Sequence, residues 1–290
     1  MSMHEQPQKK EPPSTYMVQD RENQAELERL RVQDRLLSMV MQGVLAEQPG
    51  PTLFHDVLDV ACGAGGWVIE SAETYPEMSL TGVDVSQRMI TFARTQAEDR
   101  SVSNRVKFRV MDALRMLEFP ASSFDLVNIR LGGSFMRTWD WPKLITEFLH
   151  VARPGGVIRV TDLVVNELSN SNSLTQLYDI FQCALYRAGH LFTQEPTGIT
   201  DHLARMLSQY GCKNVQTHPY ELFILQGTPE AQAYYEDVQY AYRNLVPFLK
   251  KRGCAPGNYD AIYKQALEDM RQPDFHATWR FLTAWGTKAI

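Results

Sequence analysis

The sequence predicts an α/β fold: an open, seven-stranded, mostly parallel sheet with helices on both faces. Three observations carry that expectation. From His55 onward, short and nearly continuous apolar runs alternate with helical stretches, the pattern of strands covered on both sides. The first run, Val57-Leu58-Asp59-Val60, ends in a glycine-rich turn that opens a helix. A helical stretch then separates the last two strand-like runs.

The elements follow in order. The polar stretch from Met1, with Pro7, Pro12 and Pro13, has no apolar leader core, so residues 1–15 read as a loose tail. Asp20 is a candidate cap for a helix whose Leu27, Leu30, Leu37, Met41 and Val44 share one stripe. Gly50-Pro51 closes this 16–50 segment, expected as a helical cap. Leu80–Val85 is the second strand, and Ser86 caps the helix carrying Met89, Ile90, Phe92 and Ala93. Val106–Val110 and Phe124–Ile129 are the third and fourth strands. A helix through Leu144, Ile145, Phe148 and Leu149 leads to an Arg153–Gly156 turn, and Val157–Val160 is the fifth strand.

The second half is less regular. Ser169–Ser173 reads as a loop, Leu174–Tyr186 as a helix, Gly189–Gly198 as a loop and Ile199–Tyr210 as a helix. Val215–Leu225 is a strand. Tyr234, Val238, Ala241, Leu245 and Phe248 form a helical stripe, and Tyr259–Met270 a further helix. Arg280–Trp285 is the last strand. The expected division is a core of 51–228 and 273–290 with a helical insertion at 229–272.

Composition narrows the function. The 290 residues carry 29 Lys and Arg against 34 Asp and Glu, a net charge of −5, with no bulk attraction to nucleic acid. No apolar run approaches the roughly 18 residues of a membrane span. Cys62, Cys183, Cys212 and Cys254 are widely spaced, so reduced thiols and a cytoplasmic setting are expected, without a metal site. The apolar stripe of the first helix makes a second copy of the chain a candidate to cover it.

The chemistry concentrates at Asp59-Val60-Ala61-Cys62-Gly63-Ala64-Gly65-Gly66-Trp67. Glycine lets backbone pass close to a ligand. Asp84 stands 19 residues past Gly65, at the end of the next strand, where a carboxylate accepts hydrogen bonds from ribose hydroxyls. A dinucleotide fingerprint wants a third small residue where Val68 stands, and Asp59 would repel a diphosphate. An acid at that position suits a cofactor bearing an ammonium group.

Asp59-x-Ala61-x-Gly63-x-Gly65 resembles the first motif of class I S-adenosylmethionine-dependent methyltransferases, with Ala61 where many members carry glycine. Gly82–Ser86, Met111-Asp112-Ala113, Phe119–Val127 and Val151–Gly156 resemble further motifs of the ubiquinone-type small-molecule branch. The resemblance covers Val57 to Asp162 and implies a Rossmann-like sheet of order 3-2-1-4-5-7-6 with the last strand antiparallel. It implies that Asp59, Ala61, Gly63 and Gly65 serve the methionine end of the cofactor. Asp84 and Val85 would serve the ribose, and Asp112 and Ala113 the adenine. Met89 would pack on the purine, and Asn128 would face the methionine end through its backbone. Arg130 is a candidate contact to the cofactor carboxylate or the substrate. The implied reaction is in-line methyl transfer to a small apolar or aromatic metabolite, as in secondary metabolism, leaving S-adenosylhomocysteine, without metal.

The acceptor side is less legible. His190, with Glu195, falls in the irregular 189–198 loop that often roofs the acceptor in this fold, and is a candidate base. Tyr16 is a candidate to close over the cofactor from the N-terminal segment. A non-catalytic S-adenosylmethionine-binding protein and a nicotinamide-dependent oxidoreductase are the alternatives. A nucleic-acid methyltransferase is disfavoured by Asn128-Ile129-Arg130-Leu131 after the fourth strand, which lacks an Asn-Pro-Pro-Tyr/Phe signature.

Overall fold

A computed structural model describes residues 15–18, 24–164, 168–193 and 198–290. The tail expectation, Asp20 and Glu195 fall outside these residues.

Five strands run parallel: β1 (Asp56–Val60), β2 (Ser79–Asp84), β3 (Val106–Val110), β4 (Phe124–Arg130) and β5 (Ala152–Leu163). Three more follow: the two-residue β6 (Leu168–Ser169), β7 (Lys213–Leu225) and β8 (His276–Thr287). The sheet order is β3-β2-β1-β4-β5-β8, and both β6 and β7 pair β8 antiparallel. This is the expected order with one small strand added, β6 pairing β8 just beyond the end of β5. Two residues are too few to leave a period-two signal, so β6 was hidden in a segment that reads as loop.

Side chains alternate across the sheet with the two-residue period of a strand. Leu58, Val60, Val127 and Ile129 pack beneath α4 (Trp141–Val151) and α6 (Thr200–Gln209). Val57, Leu80 and Leu126 pack beneath α2 (Gly66–Thr74) and α3 (Gln87–Asp99). Ser86 caps α3 as expected, its Oγ accepting from the Met89 N–H.

A third layer gathers α1 (Gln24–Val40), α5 (Asn172–Ala188), α7 (Pro229–Asn244), α8 (Val246–Lys251) and α9 (Tyr259–Asp269). Ile224, Trp279 and Phe281, on the long β7–β8 pair, anchor this layer. The stripe of α1 is spent here: Leu37 and Met41 are buried against the other helices. These buried positions therefore give no reason of their own to place a second copy on α1.

Two further corrections follow. β5 takes in Arg153–Gly156, expected as a turn; Gly155 keeps a left-handed φ of +77°, and pairing with β4 shifts register beside it. Cys183 on α5 and Cys254 after α8 form a disulfide, with Cα atoms 6.0 Å apart, where reduced thiols were expected. Their separation of 71 residues hid the pair from a reading of spacing. Cys62 and Cys212 are free and buried. Among the described residues no helix is long and apolar enough to cross a membrane.

Candidate active site

Parallel strands leave their carboxyl ends open for ligands. Asp59 lies near the end of β1 and Ala61 just past it, Asp84 ends β2, Asp112 follows β3, Arg130 ends β4 and Asp162 lies near the end of β5. All six line one cavity of about 250 Å³. Gly63, Val85, Met89, Ala113, Tyr16 and His190 line it too. The structure thus gathers eleven of the thirteen candidate residues.

Gly65 and Asn128 are the two exceptions. A Cβ on Gly65 (φ +79°) would come within 2.8 Å of Phe108 and Ala93, so this glycine lets the turn pack against β3 and α3. A Cβ on Gly63 would meet nothing within 4 Å, which leaves open space on the cavity side of the turn. Asn128 does not line the cavity; it is fully buried, and its side chain pairs with Asp59.

That side chain belongs to a polar row the sheet register creates. Asp59 on β1 lies beside Asn128 on β4, which lies beside Arg159 on β5. Asn128 Nδ2 donates to Asp59 Oδ1 at 2.7 Å, and Arg159 donates to Asn128 Oδ1 at 2.8 Å. Arg159 Nε also donates to Glu47 Oε1 at 2.6 Å, and the Tyr220 hydroxyl to Glu47 Oε2 at 3.0 Å. Burial alone would raise Glu47, but Arg159 holds it down at about 2. Every member thereby finds a partner, which buried polar groups require. The sequence signal was three polar residues inside otherwise apolar strands, but only the register aligns them.

Burial pushes the Asp59 carboxyl up to about 7, against the pull of Arg130 and the Asn128 hydrogen bond. Asp84 is fixed by two backbone donors: Gly63 N–H reaches Oδ2 at 3.0 Å and Ser86 N–H reaches Oδ1 at 2.8 Å. Asp112 Oδ1 accepts from Leu114 N–H at 3.0 Å. Arg130 pairs with Asp34 of α1 at 2.6 Å, the arginine nearly buried and the carboxylate half-buried. Asp34 also lines the cavity, held above its usual range by burial despite Arg130.

Two further groups stand at the other end. Asp162 Oδ2 accepts from Gly133 N–H at 2.7 Å and Oδ1 from Leu163 N–H at 2.9 Å; burial nevertheless raises it to about 6. His190 is 2% exposed, and burial lowers it to about 4, so the imidazole is neutral near pH 7. Its Nδ1 has no hydrogen-bond partner among the described residues. Leu131, Phe135, Leu163, Phe181 and Leu185 give this end an apolar wall. Tyr16 lines the cavity as well. Its hydroxyl donates to Glu26 at 2.9 Å and accepts from Arg29 at 3.2 Å, so it ties the N-terminal segment to α1. Arg29 reaches Asp237 of α7 at 2.9 Å.

Sequence reasoning missed Asp34, Asp162 and Glu26 as wall residues. Asp162 carried a signal, as a polar residue at the carboxyl end of a parallel strand. Asp34 and Glu26 carried none, because the packing of α1 brings them in.

The strand order is that of a Rossmann-like fold, with its ligand space at the carboxyl ends of the parallel strands. Residues 57–156 match the family model described as a methyltransferase domain. The chain is 29% identical to the demethylmenaquinone methyltransferase of Bacillus licheniformis, over 56% of this chain and 72% of that protein. It is 33% identical to that of Deinococcus radiodurans, over 47% of this chain and 53% of that protein, about half the relative's length. Its fold is similar to that of Haemonchus contortus phosphoethanolamine N-methyltransferase 2, solved with phosphomonomethylethanolamine and S-adenosylhomocysteine. The TM-score there is 0.51 at 18% identity, over 96% of this chain and 61% of that one. Residues 57–156 thus match a methyltransferase domain, and together with these relatives they support a class I S-adenosylmethionine-dependent methyltransferase.

Proposed function

We propose that the chain transfers a methyl group from S-adenosylmethionine to a small, apolar or aromatic metabolite. One observation carries the reading: the acids at the strand ends open on the same cavity as an apolar wall bearing Asp162 and His190. Six carboxylates face two arginines there, a balance that attracts a cationic ligand and repels a diphosphate. The open space beside Gly63 and the pinned carboxylate of Asp84 fit an adenosine cofactor.

S-adenosylmethionine, when bound, supplies a methyl group activated by its sulfonium. The chain's own residues do the rest. Asp84 holds the ribose hydroxyls and Asp112 the adenine. Asp59 faces the ammonium group and Arg130 the carboxylate. Met89 packs on the purine. The apolar wall and Tyr16 exclude water, and the walls orient the acceptor. Asp162 is the stronger candidate to take a proton at a carboxylate oxygen from an acceptor hydroxyl, because it titrates closer to neutrality than His190. His190 offers Nδ1 to orient that hydroxyl.

The relatives named for demethylmenaquinone support a ring-bearing acceptor. The test is calorimetric titration of S-adenosylmethionine and S-adenosylhomocysteine with NADH as control, followed by an acceptor screen for methylated product by mass. One-site binding of both sulfur ligands and a methylated product are expected. Preference for NADH would overturn the reading, and cofactor binding without any product would favour a non-catalytic binder.

A further inference from the structure

A second cavity, of about 510 Å³, opens beside the first and shares Thr15, Tyr16 and His190 with it. Its chemistry is the reverse. Arg137, Arg187, Lys251 and Arg252 line it, and no carboxylate does among the described residues. Asp140 neutralises Arg137 at 2.9 Å, which leaves three cations. Arg187 is held by the backbone carbonyls of Arg252 and Gly253, at 3.0 and 2.9 Å, which cancel no charge. Arg252 lies over the Phe248 ring, 5.7 Å from its centroid.

Two buried polar atoms here lack hydrogen-bond partners among the described residues: Arg252 Nε and His190 Nδ1. An unpaired buried polar group costs free energy that a ligand oxygen or hydroxyl would recover. Trp139 and Tyr186 add large aromatic faces, 59% and 42% exposed. Guanidinium groups beside aromatic rings recognise a planar anion through charge, hydrogen bonds and stacking.

We propose that this outer cavity binds an anionic group, carboxylate or phosphate, carried by an aromatic methyl acceptor. The inference rests on the methyl-transfer reading of the inner cavity and deepens it. The six carboxylates of the inner cavity repel an anion, so such an acceptor passes His190 and Tyr16 with its uncharged end first. Its charge stays outside against Lys251 and Arg252. The two cavities together thus fix which end of the acceptor is methylated.

The test titrates the full chain, with and without saturating S-adenosylhomocysteine, with 2-naphthoate, 2-naphthyl phosphate and 2-naphthalenemethanol. At least one of the two anions is expected to bind ten times or more tighter than the alcohol, and the tighter one identifies the group. In the Lys251→Gln/Arg252→Gln variant that ratio falls toward one while S-adenosylhomocysteine affinity is unchanged. Should the double variant not fold, Lys251→Gln alone, an exposed side chain, is expected to lower the ratio at least threefold. Equal affinity for all three probes in the unmodified chain, or an undiminished ratio in a folded variant, would overturn the proposal. Failure to bind S-adenosylhomocysteine would instead sink the methyl-transfer reading, because the probe ratio without it still reports on the outer cavity.

Discussion

The inner cavity sets six carboxylates against two arginines, and the outer cavity sets three arginines and a lysine against no carboxylate among the described residues. They meet at Thr15, Tyr16 and His190. The net charge of −5 describes neither. Local field, set by which side chains the fold turns inward, decides what each space attracts. The two also differ in construction. The inner one is made at the carboxyl ends of five strands, and the outer one from helix ends and loops around Arg137, Arg187 and Arg252.

The sharpest way to break this contrast is to disable one cavity alone. Asp84→Ala removes the carboxylate that pins Gly63 and Ser86 and that is proposed to hold the ribose. Losing two charge-assisted hydrogen bonds should weaken S-adenosylhomocysteine binding by about 10³-fold. Calorimetry should show that loss while the preference for 2-naphthoate over its alcohol persists. A variant that keeps cofactor affinity would remove Asp84 from the site.

Asp162→Asn tests the junction. Its carboxyl near 6 must be ionised to accept a proton, so kcat should rise with pH up to about 6 and then level off. The amide should lower kcat about 10²-fold, abolish that limb and leave cofactor affinity intact. An unchanged pH profile would assign the limb to another group.

Asp59 makes inner-cavity affinity depend on pH. In the proposed role its carboxyl, near 7, must ionise to attract the ligand's ammonium, so S-adenosylhomocysteine affinity should rise about tenfold from pH 6 to pH 8. Asp59→Asn should flatten that dependence. Stability moves the other way. The folded carboxyl lies above its usual 3.8, so the folded chain holds the proton more tightly between those values. Asp59 therefore favours the folded state most below about pH 4, and that contribution is lost as pH rises to 7. A flat affinity profile in the unmodified chain would remove Asp59 from ligand contact.

How far the sequence disclosed each cavity follows from this construction. Asp59, Asp84 and Asp112 stand at or just past the ends of strands that carry their own periodic signal, so their spacing revealed both the fold order and the acid-bearing ends. Asp162 sat at an equivalent end but without a neighbouring motif. Lys251 and Arg252 sit at the end of a short helix whose approach to Arg187 depends on packing of α5 against α8 and α9, which local sequence does not encode. The Cys183–Cys254 pair across the same seam was hidden for the same reason.

The smallest effect sharpens what the inner wall tolerates. Ala61 lines the cavity with φ +57°, in the left-handed region where a Cβ costs about 1–2 kcal/mol. Glycine would relieve that strain but lose about 0.5–1 kcal/mol to its greater freedom when unfolded. Ala61→Gly should therefore stabilise the chain by about 0.5–1 kcal/mol, a rise in Tm of roughly 1 °C by scanning calorimetry. Cofactor affinity should shift less than about threefold, because the Asp59 and Asp84 carboxylates keep their partners, and the outer cavity should not respond at all. A fall in Tm would mean that the Ala61 methyl makes packing contacts worth more than the strain, and that alanine is there for the wall rather than despite the turn.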